Sequence, residues 1–191
     1  MATAGPNNPA TAVNTSKGGG NKVWANPGNV FTSNNVYAVA TGVTTGAAGP
    51  SDYLDVTNFG FSMPAGATIN GITVEYEIKD SVGSMADESV LLIKGGTPGG
   101  TDKGNSSDFY GTTDAYKTRG SASDLWGLSW AVSDVNASNF GVRISAQDPL
   151  GTGPADVSID HVRVTITYTS VGDGRQTVMR GVGRGVMRGG R

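Results

Sequence analysis

Strict alternation of apolar and polar side chains marks one stretch of this chain more clearly than any other. In residues 72–78 (ITVEYEI) every second side chain is apolar, and Thr73, Glu75 and Glu77 stand between them. A period of two is typical of a strand with one face in a core and the other in water. Residues 157–168 supply a second strand of this kind near the end of the chain. The pattern therefore predicts sheet structure.

The phrase Asn-Phe-Gly precedes each of these two strands, once at residues 58–60 and once at 139–141. We interpret the two segments as related strand pairs that close the two halves of a sandwich. No long stretch has helical periodicity, and we expect only one short helical turn, at 133–136. A length of 191 residues is enough for one all-β domain with its own core. We predict a single antiparallel β-sandwich of jelly-roll type.

Composition divides the chain into three parts. Residues 1–22 are rich in Pro, Asn, Thr, Ser and Gly and poor in large apolar side chains, so we predict a flexible amino-terminal lead. The sandwich domain is expected at 23–171, and an Arg/Gly-rich carboxy-terminal arm at 172–191. Within the domain, residues 103–119 are polar with isolated aromatics. They are predicted to form a long surface excursion.

Several classes of site are disfavoured by the residues present. The chain has no cysteine, so it contains neither a disulfide framework nor a thiolate metal site. The glycine cluster at 95–101 is followed by neither Gly-Lys-Ser/Thr nor a helix, which excludes a phosphate loop. Asp and Asn residues at 102–108 lack the regular spacing of a calcium loop. We assign no cofactor and no metal ligand, and we expect no signal peptide, no transmembrane segment and no membrane partner.

Candidate catalytic groups are few. The only histidine, His161, follows Asp160 in a predicted strand, so the two side chains should point to opposite faces and form no relay. The chain has no Gly-x-Ser-x-Gly elbow. Glu75 and Glu77 share a wet strand face, whereas a glycosidase needs two acids across a cleft. We therefore expect no enzymatic activity and no catalytic residue.

The last part of the chain is opposite in charge to the rest. All 16 acids precede Arg175, and with the 9 basic residues before it they give a net charge of −7, against +5 from Arg175 onward. Residues 178–189 repeat the tetrapeptides VMRG, VGRG and VMRG. We predict an arm that contacts another protein or a second subunit, with nucleic-acid binding and an inert end as alternatives. The candidate arm residues are Arg175, Val178, Met179, Arg180, Val182, Arg184, Val186, Met187, Arg188 and Arg191.

Aromatic residues leave a second kind of binding open. Trp24 precedes an Asn-Pro-Gly turn, and Trp126 and Trp130 lie four residues apart. We favour a core role for the tryptophans, because a buried indole contributes a large apolar area. A sugar platform is the alternative. The candidate glycan-facing residues are Trp24, Trp126, Trp130, Tyr110 and Tyr116.

Several ordered phrases resemble a set of β-sandwich proteins found among the virion genes of tailed phages. The phrases are WANPGNV at 24–30, NFGFSMPAGATINGI at 58–72, LWG at 125–127, NFGV at 139–142 and IDHVRV at 159–164. The similarity covers about residues 23–170.

This resemblance implies a structural role and no activity. Its proteins are of the capsid-decoration, head-fibre or tail-associated type, and they have no catalytic motif to transfer to this chain. The resemblance implies a virion protein, made in the host cytoplasm, that decorates or cements a phage particle by binding a major capsid or tail protein. It also implies a homo-oligomer, with a homotrimer expected. A carbohydrate-binding module for host or glycan adhesion is the alternative function.

Overall fold

The structure is a computed structural model that describes residues 1–47 and 49–170. Its one α-helix within these residues, α1, spans Val132–Asn136 and confirms the short helical turn. A 3-10 turn covers Pro27–Val30. The strands are β1 (Ala2–Asn7), β2 (Thr11–Thr15), β3 (Trp24–Ala25), β4 (Ala38–Val43), β5 (Tyr53–Thr57), β6 (Thr68–Asp80), β7 (Ala86–Lys94), β8 (Thr97–Gly99), β9 (Ala115–Gly120), β10 (Gly141–Gln147) and β11 (Ala155–Thr169).

The strands form two antiparallel sheets packed face to face. Sheet A has the order β3-β4-β11-β6-β9, with β1 pairing the second half of β11. Sheet B has the order β2-β5-β10-β7-β8. From β4 to β11 the chain winds between the sheets with the connectivity of an eight-stranded jelly roll, in which β4-β11-β6-β9 faces β5-β10-β7-β8. The predicted jelly-roll sandwich is confirmed.

The core lies between the sheets and follows the alternation of the long strands. Ile72, Val74, Tyr76 and Ile78 of β6 are fully buried, whereas the residues between them are half-exposed. The two Asn-Phe-Gly phrases meet in this core, where the rings of Phe59, Phe61 and Phe140 lie 6.0–6.3 Å apart. The core also contains Trp24 and Trp126, which confirms the favoured role of these two tryptophans.

The predicted flexible lead at residues 1–22 is wrong for residues 2–15. β1 extends sheet A by pairing Ala2 with Tyr168, and β2 extends sheet B by pairing Thr11 with Thr57. These strands add little apolar surface to the core, but their main-chain groups pair with strands that would otherwise have an open edge. Ladder pairing of this kind requires no large apolar side chain, so composition alone does not reveal it.

The predicted surface excursion at 103–119 is wrong at its end, because Ala115–Gly120 is strand β9 and pairs with β6. Arg119 of this strand points into the sandwich and is buried. Its Nε donates to the fully buried Asp87 carboxylate of β7 at 2.7 Å. The hydroxyls of Tyr76 and Tyr110 donate to the same carboxylate at 2.6 and 2.7 Å. This cluster joins sheet A, sheet B and the β8–β9 loop.

Three loops meet at one end of the sandwich, which we call the loop end: the β6–β7 loop (81–85), the outer part of the β8–β9 loop (105–114) and the β10–β11 loop (148–154). The main-chain N–H of Tyr110 donates to the Met85 carbonyl at 2.7 Å. The Ser84 and Thr152 hydroxyls lie 2.7 Å apart. The three loops are thus bonded to each other.

The predicted arm at 172–191, with all of its candidate residues, lies outside the described residues. In the part of the chain that the structure describes, no helix has both the length and the apolar character needed to cross a bilayer. The same residues contain no group of three or more His, Asp or Glu side chains placed to hold a metal ion, and they enclose no ligand-sized pocket.

Candidate binding site on the outer face of sheet A

The outer face of sheet A carries polar and aromatic side chains in rows that cross β9, β6 and β11. Residues paired across neighbouring strands stand side by side on one face, so the register decides which side chains meet. One row contains Thr118, Glu75 and Arg163. The next contains Tyr116, Glu77 and His161. Lys79 follows on β6 and meets Tyr37 and Asp114. We call this surface the sheet A face.

The first row contains a bidentate ion pair. Arg163 donates from Nε and Nη2 to the two oxygens of Glu75, each at 3.0 Å. The bond with Glu75 raises the pKa of Arg163 despite partial burial. The guanidinium carbon also lies 4.1 Å from the centre of the Tyr116 ring, a cation–π contact. The Glu75 charge is therefore neutralised, and the Arg163 guanidinium covers one face of the Tyr116 ring.

The second row is organised around a neutral histidine. His161 Nε2 lies 2.9 Å from the Asn8 amide oxygen, which is an acceptor, so Nε2 carries the proton. Nδ1 is then an acceptor, and the Tyr116 hydroxyl donates a hydrogen bond to it at 2.8 Å. Burial and the nearby Arg163 charge lower the pKa of His161. Burial, followed by the neighbouring Glu77 carboxylate, raises the pKa of Tyr116.

Glu77 stands at the centre of this row with no donor of its own. The Tyr116 hydroxyl donates its one hydrogen bond to His161, and the Glu77 Oε2 atom is shielded from solvent without a hydrogen-bond partner. Every other carboxylate within residues 1–170 is in an ion pair or accepts a main-chain N–H. Glu77 therefore differs from the other carboxylates of these residues, and its shielded Oε2 can accept a hydrogen bond from a ligand.

The third cluster is ordered and balanced in charge. The Tyr37 hydroxyl donates to Asp114 at 2.7 Å, and Lys79 Nζ donates to the same hydroxyl at 2.7 Å and to Asp114 at 3.3 Å. Lys79 Nζ also lies 3.9 Å from the centre of the Tyr37 ring. The bond with Tyr37 raises the pKa of Lys79. The sheet A face thus consists of two neutral ion-pair clusters on either side of one unpaired carboxylate.

The predicted placement of Asp160 and His161 on opposite faces is wrong. β11 has a bulge between Ile159 and His161, and both Ile159 and Val162 belong to the core. The two residues between them consequently face outward together. Asp160 accepts the main-chain N–H groups of Asn34 at 3.0 Å and Val36 at 3.1 Å, so it fixes the β3–β4 loop beside the face.

Three of the predicted glycan-facing residues are buried, and their assignment to a sugar surface is wrong. Trp24 and Trp126 are 1% and 0% exposed, and each indole N–H donates to a main-chain carbonyl, at Asp52 and Ile72. Tyr110 is 1% exposed, and its hydroxyl donates a hydrogen bond to the buried Asp87 carboxylate. Their apolar area is used in the core, as is usual for large aromatics.

The two remaining candidates are half-buried and lie apart from each other. Trp130 packs edge-on against Phe140 at 5.5 Å and donates to the Leu125 carbonyl, away from the sheet A face. Tyr116 alone lies on that face. Sequence reasoning missed Tyr37 and Lys79, which join the site only through folding of the β3–β4 loop. The alternation that placed Glu75 and Glu77 on one wet face was the signal that located the site.

Comparisons with known proteins add little to this description. No protein-family model matches the chain, and no curated protein matches it either. Among solved structures, the chain is similar to the N-terminal cellulose-binding domain of β-1,4-glucanase C from Cellulomonas fimi, determined by NMR. The two are 11% identical with a TM-score of 0.44, over 85% of this chain and 92% of that one. The fold assignment above rests on strand pairing, and a similarity of this size carries no argument about function.

Proposed function

We propose that the protein is a non-enzymatic binding protein whose sheet A face takes a neutral carbohydrate. The observation that carries this proposal is Glu77, a half-buried carboxylate whose Oε2 has no hydrogen-bond partner, on the same face as the half-exposed rings of Tyr116 and Tyr37. A sugar hydroxyl supplies the missing donor, and the C–H groups of a sugar ring pack on an aromatic face. A few polar groups beside aromatic rings are the usual lining of a ligand site, and here they lie on an open sheet face and not in a pocket.

The charge arrangement favours a neutral ligand. Arg163 and Lys79 stand on either side of Glu77, and each is already paired with a carboxylate. A cationic ligand would meet both positive groups, and an anionic ligand would meet Glu77 itself. A polyhydroxylated ligand avoids both penalties, since it donates to Glu77 and adds no charge.

The same geometry supports a binding role over a hydrolytic one. Glycoside hydrolysis needs two carboxyl groups on opposite sides of the scissile bond. Glu75 and Glu77 lie on the same strand two residues apart, and Glu75 is held by both prongs of Arg163. Only Glu77 is free to meet a ligand.

Titration calorimetry with a panel of neutral oligosaccharides tests the proposal. Glu77→Gln and Tyr116→Leu should each weaken binding about tenfold, which corresponds to loss of one good contact. Tyr53→Leu is the matched control. Tyr53 lies on the outer face of sheet B under Arg143 at 4.2 Å, and Arg143 pairs with Asp55 just as Arg163 pairs with Glu75. Equal loss in the control, or no binding by the unmodified protein, would refute the carbohydrate assignment.

A structural role in a phage particle is the second candidate. Its support is the sequence resemblance over residues 23–170. Co-sedimentation with particles that lack the protein tests this role. Saturable binding at a fixed stoichiometry is expected, and a protein that stays in the supernatant at every particle concentration would contradict it.

A further inference from the structure

The loop end exposes large apolar side chains on three connected loops. Val82 is 54% exposed, Leu150 is 60% exposed and Phe109 is 37% exposed. Isolated apolar side chains on a surface need no explanation. Here they belong to loops that are hydrogen-bonded to one another, so all three are carried at the same end of the sandwich. Several exposed apolar side chains at one end of a domain are typical of a protein-contact surface.

Buried aspartates hold two of these loops in place. The Asp80 carboxylate accepts the main-chain N–H groups of Val82, Gly83 and Met85. Asp148 accepts those of Leu150, Gly151 and Gly153. Burial alone would raise the pKa of Asp148, but these N–H bonds outweigh it and lower the pKa. The exposed Val82 and Leu150 side chains are thus carried on loops already fixed before any partner arrives, which reduces the entropy lost on binding.

The loop end is also acidic. Asp156 is exposed, accepts the Gly42 N–H and is in no ion pair within the described residues. Seven carboxylates in and beside the three loops stand against four cations, which gives a net negative charge: Asp52, Asp80, Asp87, Asp108, Asp114, Asp148 and Asp156 against Lys22, Lys79, Lys117 and Arg119. Asp52, Asp80, Asp87 and Asp148 are buried, so their charge acts through the field around the loops and not by direct contact. A partner for this surface should combine apolar side chains with positive charge.

We propose that the loop end receives the segment 175–188 of a second copy of this chain. The segment repeats Val or Met beside Arg and contains no acid. Its apolar side chains suit Val82, Phe109 and Leu150, and its arginines suit the net negative charge of this end and the exposed Asp156. The proposal is independent of carbohydrate binding, because the apolar side chains it uses lie on the loops at the end of the sandwich and not on the sheet A face.

Chain length favours a second copy over the same molecule. β11 begins at Ala155 beside the loop end and ends at Thr169 at the far end of the sandwich. At ~3.3 Å per residue its 15 residues span about 50 Å. To reach the loop end of its own molecule, the chain after Thr169 would have to run back along this length, which takes roughly 14 residues at ~3.5 Å each. Few residues would then remain to contact the loop end. In a neighbour stacked end to end, the whole segment reaches the loop end directly.

The contact joins two different surfaces, so it repeats from copy to copy. Such a head-to-tail interface gives a closed ring when the rotation between copies closes, and an open chain when it does not. Each copy receives one segment and offers one.

Sedimentation velocity on the full-length protein over a concentration series tests this inference. The loop variant is V82D/L150D, and the arm variant is R180S/R184S/R188S. Both should associate at least about tenfold more weakly than the unmodified protein, and raising the salt concentration should weaken the unmodified contact. Val36→Asp is the matched control, since Val36 is 50% exposed but lies in the β3–β4 loop. It should leave association unchanged.

Mixing the two variants provides the decisive comparison. The loop variant keeps its arm and the arm variant keeps its loop end, so together they should form a one-to-one dimer that grows no further. A monomer at every concentration of the unmodified protein would overturn the proposal. So would unweakened association of both variants, or a mixture that remains monomeric.

Discussion

The buried Asp87 cluster gives the sharpest prediction about stability. Asp87 is fully buried, and its carboxylate accepts hydrogen bonds from Tyr76, Tyr110 and Arg119. Tyr110→Phe keeps the ring in the core but removes one donor to a charged group. Such a bond contributes about 1.5–3 kcal/mol net. Since Tyr76 and Arg119 still compensate the charge, we expect a loss of about 2 kcal/mol.

Urea denaturation measures this loss. With a slope of about 2 kcal/mol/M, the midpoint should fall by about 1 M. Asp87→Asn should cost more, about 3–5 kcal/mol, because it leaves Arg119 buried without its main partner. Tyr37→Phe is the control, since it removes a similar hydroxyl from a half-exposed ion pair and should cost under about 1 kcal/mol. If Tyr110→Phe and Tyr37→Phe cost the same, the buried cluster does not stabilise the fold as described.

The same cluster predicts a fall in stability at alkaline pH. Burial, then the Asp87 charge, raises the pKa of both Tyr76 and Tyr110 well above the ordinary value of 10.0. Above that pH the unfolded chain loses these protons while the folded chain keeps them. The free energy of unfolding should therefore decrease as pH rises beyond about 10, and Tyr110→Phe should make the decrease shallower. An unchanged slope in the variant would contradict this assignment.

Two further predictions concern single positions. Burial lowers the pKa of His161, so the folded protein keeps the imidazole neutral while the unfolded chain takes up a proton below about pH 6.5. The free energy of unfolding should therefore decrease as the pH falls from 7 to 5, and it should decrease less in His161→Gln. Denaturation curves recorded at each pH measure both. Gly141→Ala should cost about 1–3 kcal/mol because its Cβ would overlap the Val56 carbonyl oxygen, whereas Gly99→Ala meets no atom within 4 Å and should be neutral in the same assay.

Much of the fold could be predicted because the long strands have a clear alternation of apolar and polar residues. Residues 72–78 place apolar and polar side chains on opposite faces without exception, and the structure has them so. β9 was missed because its pattern is inverted: Arg119 faces inward to meet Asp87, and the strand looks polar throughout. β1 and β2 were missed because main-chain pairing at a sheet edge leaves little trace in side-chain composition.

The site was harder to predict than the fold. The sequence showed that Glu75 and Glu77 share one face of a strand. It did not show that only Glu75 would be in an ion pair. Arg163 neutralises Glu75 across the sheet, and Tyr116 donates to His161 instead of to Glu77. The bulge in β11, which turns Asp160 and His161 to the same side, has no signal in residue spacing. These features depend on register, which only the folded strands define.

The central position of β11 has a consequence for how this protein is made. Within the described residues, β11 follows every other strand in sequence, yet it pairs with β1, β4 and β6. While a ribosome is still translating the residues before 155, β4 and β6 have no strand between them and β1 has no partner. Sheet A can therefore be completed only after nearly the whole sandwich has been synthesised, because β1 at its start pairs with β11 at its end. Nascent chains are consequently exposed along open strand edges for most of translation, the stage at which chaperones protect such edges from mispairing.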